Sequence, residues 1–250
     1  MTHSTQGEDA DANRRPWFTT THWSLVLNAQ NTSGPLADAA LEKLCRTYWY
    51  PLYAFVRRQG EDEASAKDLT QGFFARLLEK KYLAQVQREK GKFRSFLLAS
   101  LKHFLSDERD KARAQKRGGG HPLISLDDTT GEERYHLEPI DSMDAEKLYE
   151  RRWALTLLAQ AQARLRQEYA ENDKSKLYDR LNNLEARDKS APSYAELAAE
   201  LGLTEDAVKS AVFRLRKRYQ ELVRVEVANT VESLAEVDEE IRHLICVIGR

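Results

Sequence analysis

Pro192-Ser-Tyr-Ala-Glu-Leu-Ala-Ala-Glu-Leu-Gly202-Leu-Thr-Glu-Asp-Ala-Val208-Lys-Ser-Ala-Val212-Phe-Arg-Leu-Arg-Lys-Arg218 is the stretch on which the reading of this chain turns. Ser193 is placed to accept from a backbone N–H at a helix start, and Glu196 three positions on completes a capping box. Tyr194, Leu197, Ala198 and Leu201 follow the i, i+3, i+4, i+7 stripe of an amphipathic helix. Gly202 ends that helix, because glycine tolerates the left-handed backbone that helix ends often need. Thr204 caps a second helix, with Glu205 and Asp206 at its positive end. Val208, Ala211, Val212, Leu215, Tyr219 and Leu222 give this helix one apolar side. Two helices, a tight glycine turn and a basic second member spell a helix-turn-helix.

The opposite side of the second helix carries Asp206, Ser210, Phe213 and Lys217, flanked by Lys209 and Arg214. An α-helix fits the DNA major groove, and residues near its amino end reach base edges. Lys and Arg suit guanine or phosphate, Ser suits either, and Phe suits a thymine methyl. Arg216, Lys217, Arg218 and Arg224 read better as phosphate contacts, which hold register without reading sequence. The competing reading is a helical hairpin with a solvated basic face.

Working outward, the 250 residues carry a formal net charge of −1, so the molecule as a whole is no polycation. The charge is uneven. From Val86 to Arg117 ten Lys/Arg face four Asp/Glu; from Glu205 to Arg224 six face three; from Val225 to Arg250 two face six. Two basic stretches and an acidic tail fit a nucleic-acid binder that also meets protein. The two cysteines, Cys45 and Cys246, make no disulfide framework, which points to a reducing compartment. With no apolar run of membrane-spanning length and no signal-peptide core, a soluble, cytoplasmic protein without membrane partners is expected.

Sparse Gly and Pro and long helical periodicities predict an all-α fold: two small helical domains joined by a flexible linker, the second containing the helix-turn-helix. Residues 1–16 are polar and aperiodic and read as a disordered tail. The first domain is expected over 17–117, with a helix from Thr20 or Thr21, a second opened by Pro35, and a third opened by Pro51 and closed by Gly60. A fourth runs from Glu61 to Lys80 with Leu69, Phe73 and Leu77 inward, and Leu83 to Lys90 is ambiguous. After Gly91 comes a long helix from Phe93, apolar and aromatic first, basic later. Gly118-Gly-Gly120-His-Pro122 opens a turn-rich, acidic stretch to Met143, read as the linker over 118–143. The second domain is expected over 144–228. Its first helix, Asp144 to Tyr169, carries Trp153 and Leu157 off its main stripe, which predicts neighbours on more than one side. A weaker helix spans Lys174 to Ala186, and an acidic helix from Thr230 to Ile248 fills the last segment, 229–250.

Three segments, in order, resemble bacterial RNA polymerase sigma factors of the sigma-70 family, extracytoplasmic-function type. Asp68-Leu-Thr-Gln71-Gly-Phe-Phe74 is similar to the D-L-x-Q-x-x-F signature of region 2, which docks on the polymerase clamp. Phe93-Arg-Ser-Phe96-Leu97 through Asp107 and Arg109 is similar to the helix that opens and reads the −10 element. Thr204 to Arg218 resembles the region 4 recognition helix for the −35 element. The resemblance implies core RNA polymerase and promoter DNA as partners and leaves room for an anti-sigma factor or other regulator. It implies polymerase contacts at Asp68, Gln71 and Phe74, and −10 contacts at Lys102, His103, Arg109, Lys111 and Arg113. The −35 contacts it implies are Lys209, Ser210, Phe213, Arg214, Lys217 and Arg218.

The residues of the Phe93–Arg117 helix independently suit strand capture, since displaced bases stack on planar groups above a basic groove. For Phe93, Phe96 and Phe104 taken singly, plain core packing is the better reading. Two features depart from the family pattern: His103 stands where an Asn is usual, and Glu171 to Ala191 is longer and more polar. The acidic terminal helix is an addition to the family pattern; packing on the second domain is its simpler role, regulation the sharper one.

Enzyme readings find little purchase. Gly118-Gly-Gly120 lacks the Lys-Ser/Thr of a phosphate loop, the six histidines are scattered, and neither cysteine has a partner at metal-ligand spacing. Asp62, Asp68 and Asp107 look like an ordinary charged helix face. No catalysis, cofactor or metal is expected. Two rivals stay open: a helix-turn-helix regulator acting without polymerase, and a helical adaptor that does not bind DNA.

Overall fold

A computed structural model describes residues 35–78, 92–115, 130–136, 144–185 and 192–249. The helix expected near Thr20 and the Leu83–Lys90 segment lie outside them. Over the described residues the protein is all-α, without a strand. Its helices are α1 (Pro35–Arg58), α2 (Glu63–Leu78), α3 (Phe93–Gln115), α4 (Thr130–His136) and α5 (Ala145–Glu171). They continue with α6 (Ser175–Glu185), α7 (Tyr194–Leu201), α8 (Glu205–Ala228), a 3₁₀ turn (Leu234–Glu236) and α9 (Val237–Ile248). Among the described residues no helix is long and apolar enough to cross a membrane.

The middle of the molecule is α5, started by Asp144, whose carboxylate accepts from the Lys147 backbone at 2.8 Å. Its 27 residues rise about 40 Å. It buries Leu148, Tyr149, Trp153, Ala154, Leu157, Ala161 and Leu165, and it packs against α1, α6, α8 and α9. Trp153 and Leu157, which the spacing set off the stripe of Leu148, Leu155, Ala159 and Leu165, are on the main buried face, while Leu155 is half-buried and Ala159 exposed. Its exposed positions, Glu146, Lys147, Arg164, Arg166 and Gln167 among them, gather toward its two ends.

One expectation fails at Pro51. It does not open a helix but lies inside α1, which runs unbroken to Arg58. An interior proline forfeits a backbone hydrogen bond and costs about 3 kcal/mol. Thr47 through Val56 are all buried, so packing on every side outweighs that cost. A second difference lies at the carboxyl end. Instead of one helix from Thr230, the chain turns at Asn229 and Thr230 and passes the 3₁₀ turn before α9 begins at Val237. The Thr230 hydroxyl donates to the Val227 carbonyl at 2.8 Å, and Val231 is buried beneath the turn, which closes α8. A third lies in 118–143, where Thr130–His136 is helical rather than linker-like. Gly131 explains the close fit: a Cβ there would come within 3.1 Å of the Trp49 ring. Glu132 then pairs with Arg57, at 2.6 and 3.0 Å, and accepts from the Tyr53 hydroxyl.

Helices from both sides of 118–143 share one core. Tyr48 of α1 meets Phe93 of α3 edge-on at 5.0 Å, and both belong to the cluster that holds Tyr149 and Trp153 of α5. Polar contacts cross the same boundary. Thr47 bonds Gln160 at 2.9 Å, and Glu226 of α8, nearly buried, lies 3.4 Å from Lys43 and 3.7 Å from Arg164. The densest set surrounds Glu240 of α9, which is 0% exposed. Its carboxylate lies 2.6 Å from Arg94 Nε and 2.8 Å from Lys92 Nζ. Arg94, itself 8% exposed, also reaches Glu150 at 2.5 Å and sits over the Trp153 ring. His243 completes the set, with Nε2 2.5 Å from the other Glu150 oxygen. Burial pushes the Arg94 pKa down, but its bonds to Glu240 and Glu150 outweigh this and leave it raised.

Candidate nucleic-acid interface

The pair α7–α8 is built from its caps. Ser193 Oγ accepts from the Glu196 backbone at 3.3 Å, and the Ser193 N–H donates to the Glu196 carboxylate at 2.7 Å. That backbone donor, the largest cause, holds the Glu196 pKa below its ordinary value. Gly202 takes φ +65°, and Leu203 N–H closes onto the Ala198 carbonyl at 2.9 Å. Thr204 Oγ1 accepts from the Ala207 backbone at 3.2 Å and starts α8. The buried side of α8 holds Val208, Ala211, Val212, Leu215, Leu222, Val223 and Val227, which seats it on α7 and α5.

What is left outward is a narrow stripe. Ser210, Phe213, Arg214 and Lys217 are all exposed, Phe213 at 68%. A single exposed apolar side chain is ordinary on a protein surface, so it is the company of Ser210, Arg214 and Lys217 that distinguishes Phe213. Among the described residues no carboxylate pairs with Arg214 or Lys217. Lys209 is also exposed but lies 2.9 Å from Glu205 and 3.6 Å from Asp206, and its hydrogen bond to Glu205 raises its pKa. Arg218 differs in kind. It is half-buried and clamped in two-pronged fashion on Glu168 of α5, both bonds at 2.8 Å, with Glu221 at 2.9 Å. The bond to Glu168 raises the Arg218 pKa, and the same bond lowers that of Glu168. A guanidinium so engaged positions α8 on α5 before it can meet phosphate.

The second basic region lies on α3. Phe93 and Phe104 are buried and Phe96 is packed against the core, so these rings hold the helix down. Phe104 meets Phe73 of α2 edge-on at 5.8 Å. The exposed face carries Lys102, His103, Arg109 and Lys111. Three of the four have acidic neighbours: Lys102 reaches Glu146 at 2.5 Å, Arg109 reaches Glu61 at 3.5 Å and Lys111 reaches Glu108 at 2.8 Å. Arg113 is on the helix, with its side chain outside the described set. The positive charge counted along this segment is therefore partly neutralised in three dimensions.

On α2, Asp68 is exposed and Gln71 half-buried, while Phe74 is 2% exposed and belongs to the core. Sequence reasoning passed over Glu150, Glu240 and His243 altogether and took Arg94 only as part of a motif. Spacing alone rarely separates a buried charge from a solvated one, and the one hint was that Glu240 falls on the apolar stripe of α9, between Val237 and Leu244.

The fold and this stripe define a class, an all-helical protein with a capped helix pair that presents an exposed aromatic among cations. Comparison with protein-family models, curated proteins and solved structures finds no match to the chain.

Proposed function

We propose that this protein is a sigma factor that binds core RNA polymerase and directs promoter-specific initiation. The observation that carries the reading is the outward stripe Ser210, Phe213, Arg214 and Lys217 on α8. Ser210, Phe213 and Arg214 lie in the amino-terminal half of a helix that the Thr204 cap and the buried side seat on α5 and α7, and Lys217 follows just past its middle. That is the geometry in which side chains reach base edges in a major groove. The exposed cations of α3 supply a second surface, suited to backbone tracking of an opened strand. Asp68, exposed on α2, supports polymerase docking, while Phe74 supports it indirectly by holding α2 in place. The chemistry of chain synthesis belongs to the polymerase.

A rival reading, a DNA-binding regulator acting without polymerase, draws on the core shared by all the helices, since a single body suits a single operator. A pull-down on core polymerase followed by run-off transcription separates the two. A sigma factor binds core and directs it to discrete start sites while binding duplex weakly alone. Tight autonomous duplex binding without core association sinks the sigma reading.

A further inference from the structure

Away from α8 and from the exposed face of α3, two further arginines converge on one aromatic ring. Arg134 of α4 and Arg152 of α5 lie 5.6 and 5.8 Å from the ring centroid of Tyr50, on α1. Tyr50 is 7% exposed, Arg152 is half-buried and Arg134 is exposed, so this place shows solvent a guanidinium, chiefly that of Arg134. Its position is fixed from below. Gly131 lets α4 close on Trp49, and Glu132 binds Arg57 and the Tyr53 hydroxyl, which ties down the helix that carries Arg134. Glu132 is thereby spent, and among the described residues no carboxylate pairs with Arg134. A guanidinium held over a ring keeps its N–H fork for a second partner, and that fork matches phosphate oxygens.

The ring and its two cations adjoin the exposed face of α3. Arg57 donates to the Glu61 carbonyl at 2.5 Å, and the Glu61 carboxylate lies 3.5 Å from Arg109. Tyr135, next to Arg134 on α4, has the Arg57 guanidinium 4.8 Å from its ring centroid. Basic groups thus run from α3 across the end of α1 to α4 and α5. A strand of nucleic acid, charged at each phosphate, fits such a run better than a compact anion does. We propose that Arg134 and Arg152, seated on Tyr50, hold the phosphate backbone of the DNA strand that α3 tracks. The contact is to phosphate alone, because a ring 7% exposed leaves no face on which a base could stack. It therefore adds affinity without sequence preference. The proposal rests on the function proposed above only in taking DNA as the partner, and it stands whether or not polymerase takes part.

Titrations of the full chain with a fluorescein-labelled strand of about 20 thymidylates, over a range of salt, test the contact. Arg134→Gln should lower the slope of log K against log salt by about 0.7, the share of one phosphate on a single strand, and weaken binding about fivefold at roughly 0.1 M salt. Arg134→Lys, which keeps the charge, should keep the slope. Arg134→Gln combined with Arg152→Gln should lower it by about 1.4. Lys147→Gln, at an exposed α5 cation paired with Asp144, should leave it unchanged. Arg134 is exposed, so the single variant decides even where Arg152→Gln unfolds the chain. An unchanged slope in Arg134→Gln, with the strand still bound, overturns the contact and leaves the reading of α8 intact. An equal loss from Lys147→Gln would make the effect one of overall charge and overturns it too. So does a wild-type chain that binds no strand at low salt. Polyglutamate of the same length competing as well as the strand overturns nucleic acid as the occupant. Absent run-off transcription beside an intact Arg134 effect overturns the sigma reading alone and leaves this contact standing.

Discussion

Arg94 and Arg214 are the same residue put to opposite uses. Both lie on the basic helices for which DNA binding is proposed. Arg94 is buried between two carboxylates and the Trp153 ring; Arg214 is exposed, and among the described residues no carboxylate pairs with it. The first is a structural group whose removal leaves the buried Glu240 with Lys92 alone to balance it among the described residues. The second is exposed on α8, and on the proposed reading it meets DNA. Charge at a position therefore says nothing of its role until burial is known.

The comparison breaks most sharply at Glu240. Replacing it by Ala should lower folding stability by about 3 kcal/mol, because Arg94 and Lys92 each lose a partner at a buried place and keep only Glu150 and Glu239. Chemical denaturation of the full chain reads this, and a loss below about 1 kcal/mol would show that the cluster is hydrated. Phe74 and Asp68 repeat the contrast on one helix. Phe74→Ala should cost about 3–5 kcal/mol by opening a cavity. Asp68→Ala should stay within about 0.5 kcal/mol, yet weaken capture of core polymerase. Equal stability losses for the two would erase the distinction.

Arg214→Ala is expected to leave stability within about 0.5 kcal/mol and to weaken discrimination at one −35 base by roughly 1–3 kcal/mol. Lys217→Ala should instead lower the salt slope of binding by about one, alike for all sequences. Binding titrations on single-base variants over a range of salt tell base reading from phosphate contact. Gly202→Ala should cost about 1–2 kcal/mol, the strain of a left-handed backbone carrying a Cβ.

Acid sharpens the difference between paired and exposed carboxylates. Glu132 is held below the ordinary glutamate value of 4.5, chiefly by its bonds to Arg57, and Glu168 likewise by Arg218. A depressed carboxylate adds stability that is present above its unfolded-state value and lost as pH falls through its folded-state value. Stability should accordingly fall as pH drops below 4.5. Glu132→Gln should flatten that fall, as followed by Trp fluorescence. An unaltered acid profile would remove the Arg57 pair from the account.

The α7–α8 pair was legible almost to the residue. Ser193, Glu196, Gly202 and Thr204 act within four positions of themselves, so their chemistry is local. Helix type was legible elsewhere too. What misled were positions whose role depends on distant neighbours. Pro51 reads as a helix start by itself and lies within α1 because its surroundings bury it. Gly118 to Met143 reads as a linker, yet Gly131 lets α4 lie against Trp49. The Phe93–Arg117 stretch reads as strongly basic, although Glu146 of α5 comes to Lys102 and Glu61, between α1 and α2, comes to Arg109. Of the −35 set, Arg218 reads like Arg214 and is tied to Glu168, fifty residues earlier.

Caps, turn glycine and apolar spacing are short-range, and from them follow the all-helical character, the outward stripe of α8 and the segments that resemble a sigma factor. Which charges are spent on the fold and which remain for a partner was decided only by tertiary packing. The reason is physical: a cation's availability depends on its desolvation and on acids brought to it from far along the chain, and neither has a local signature.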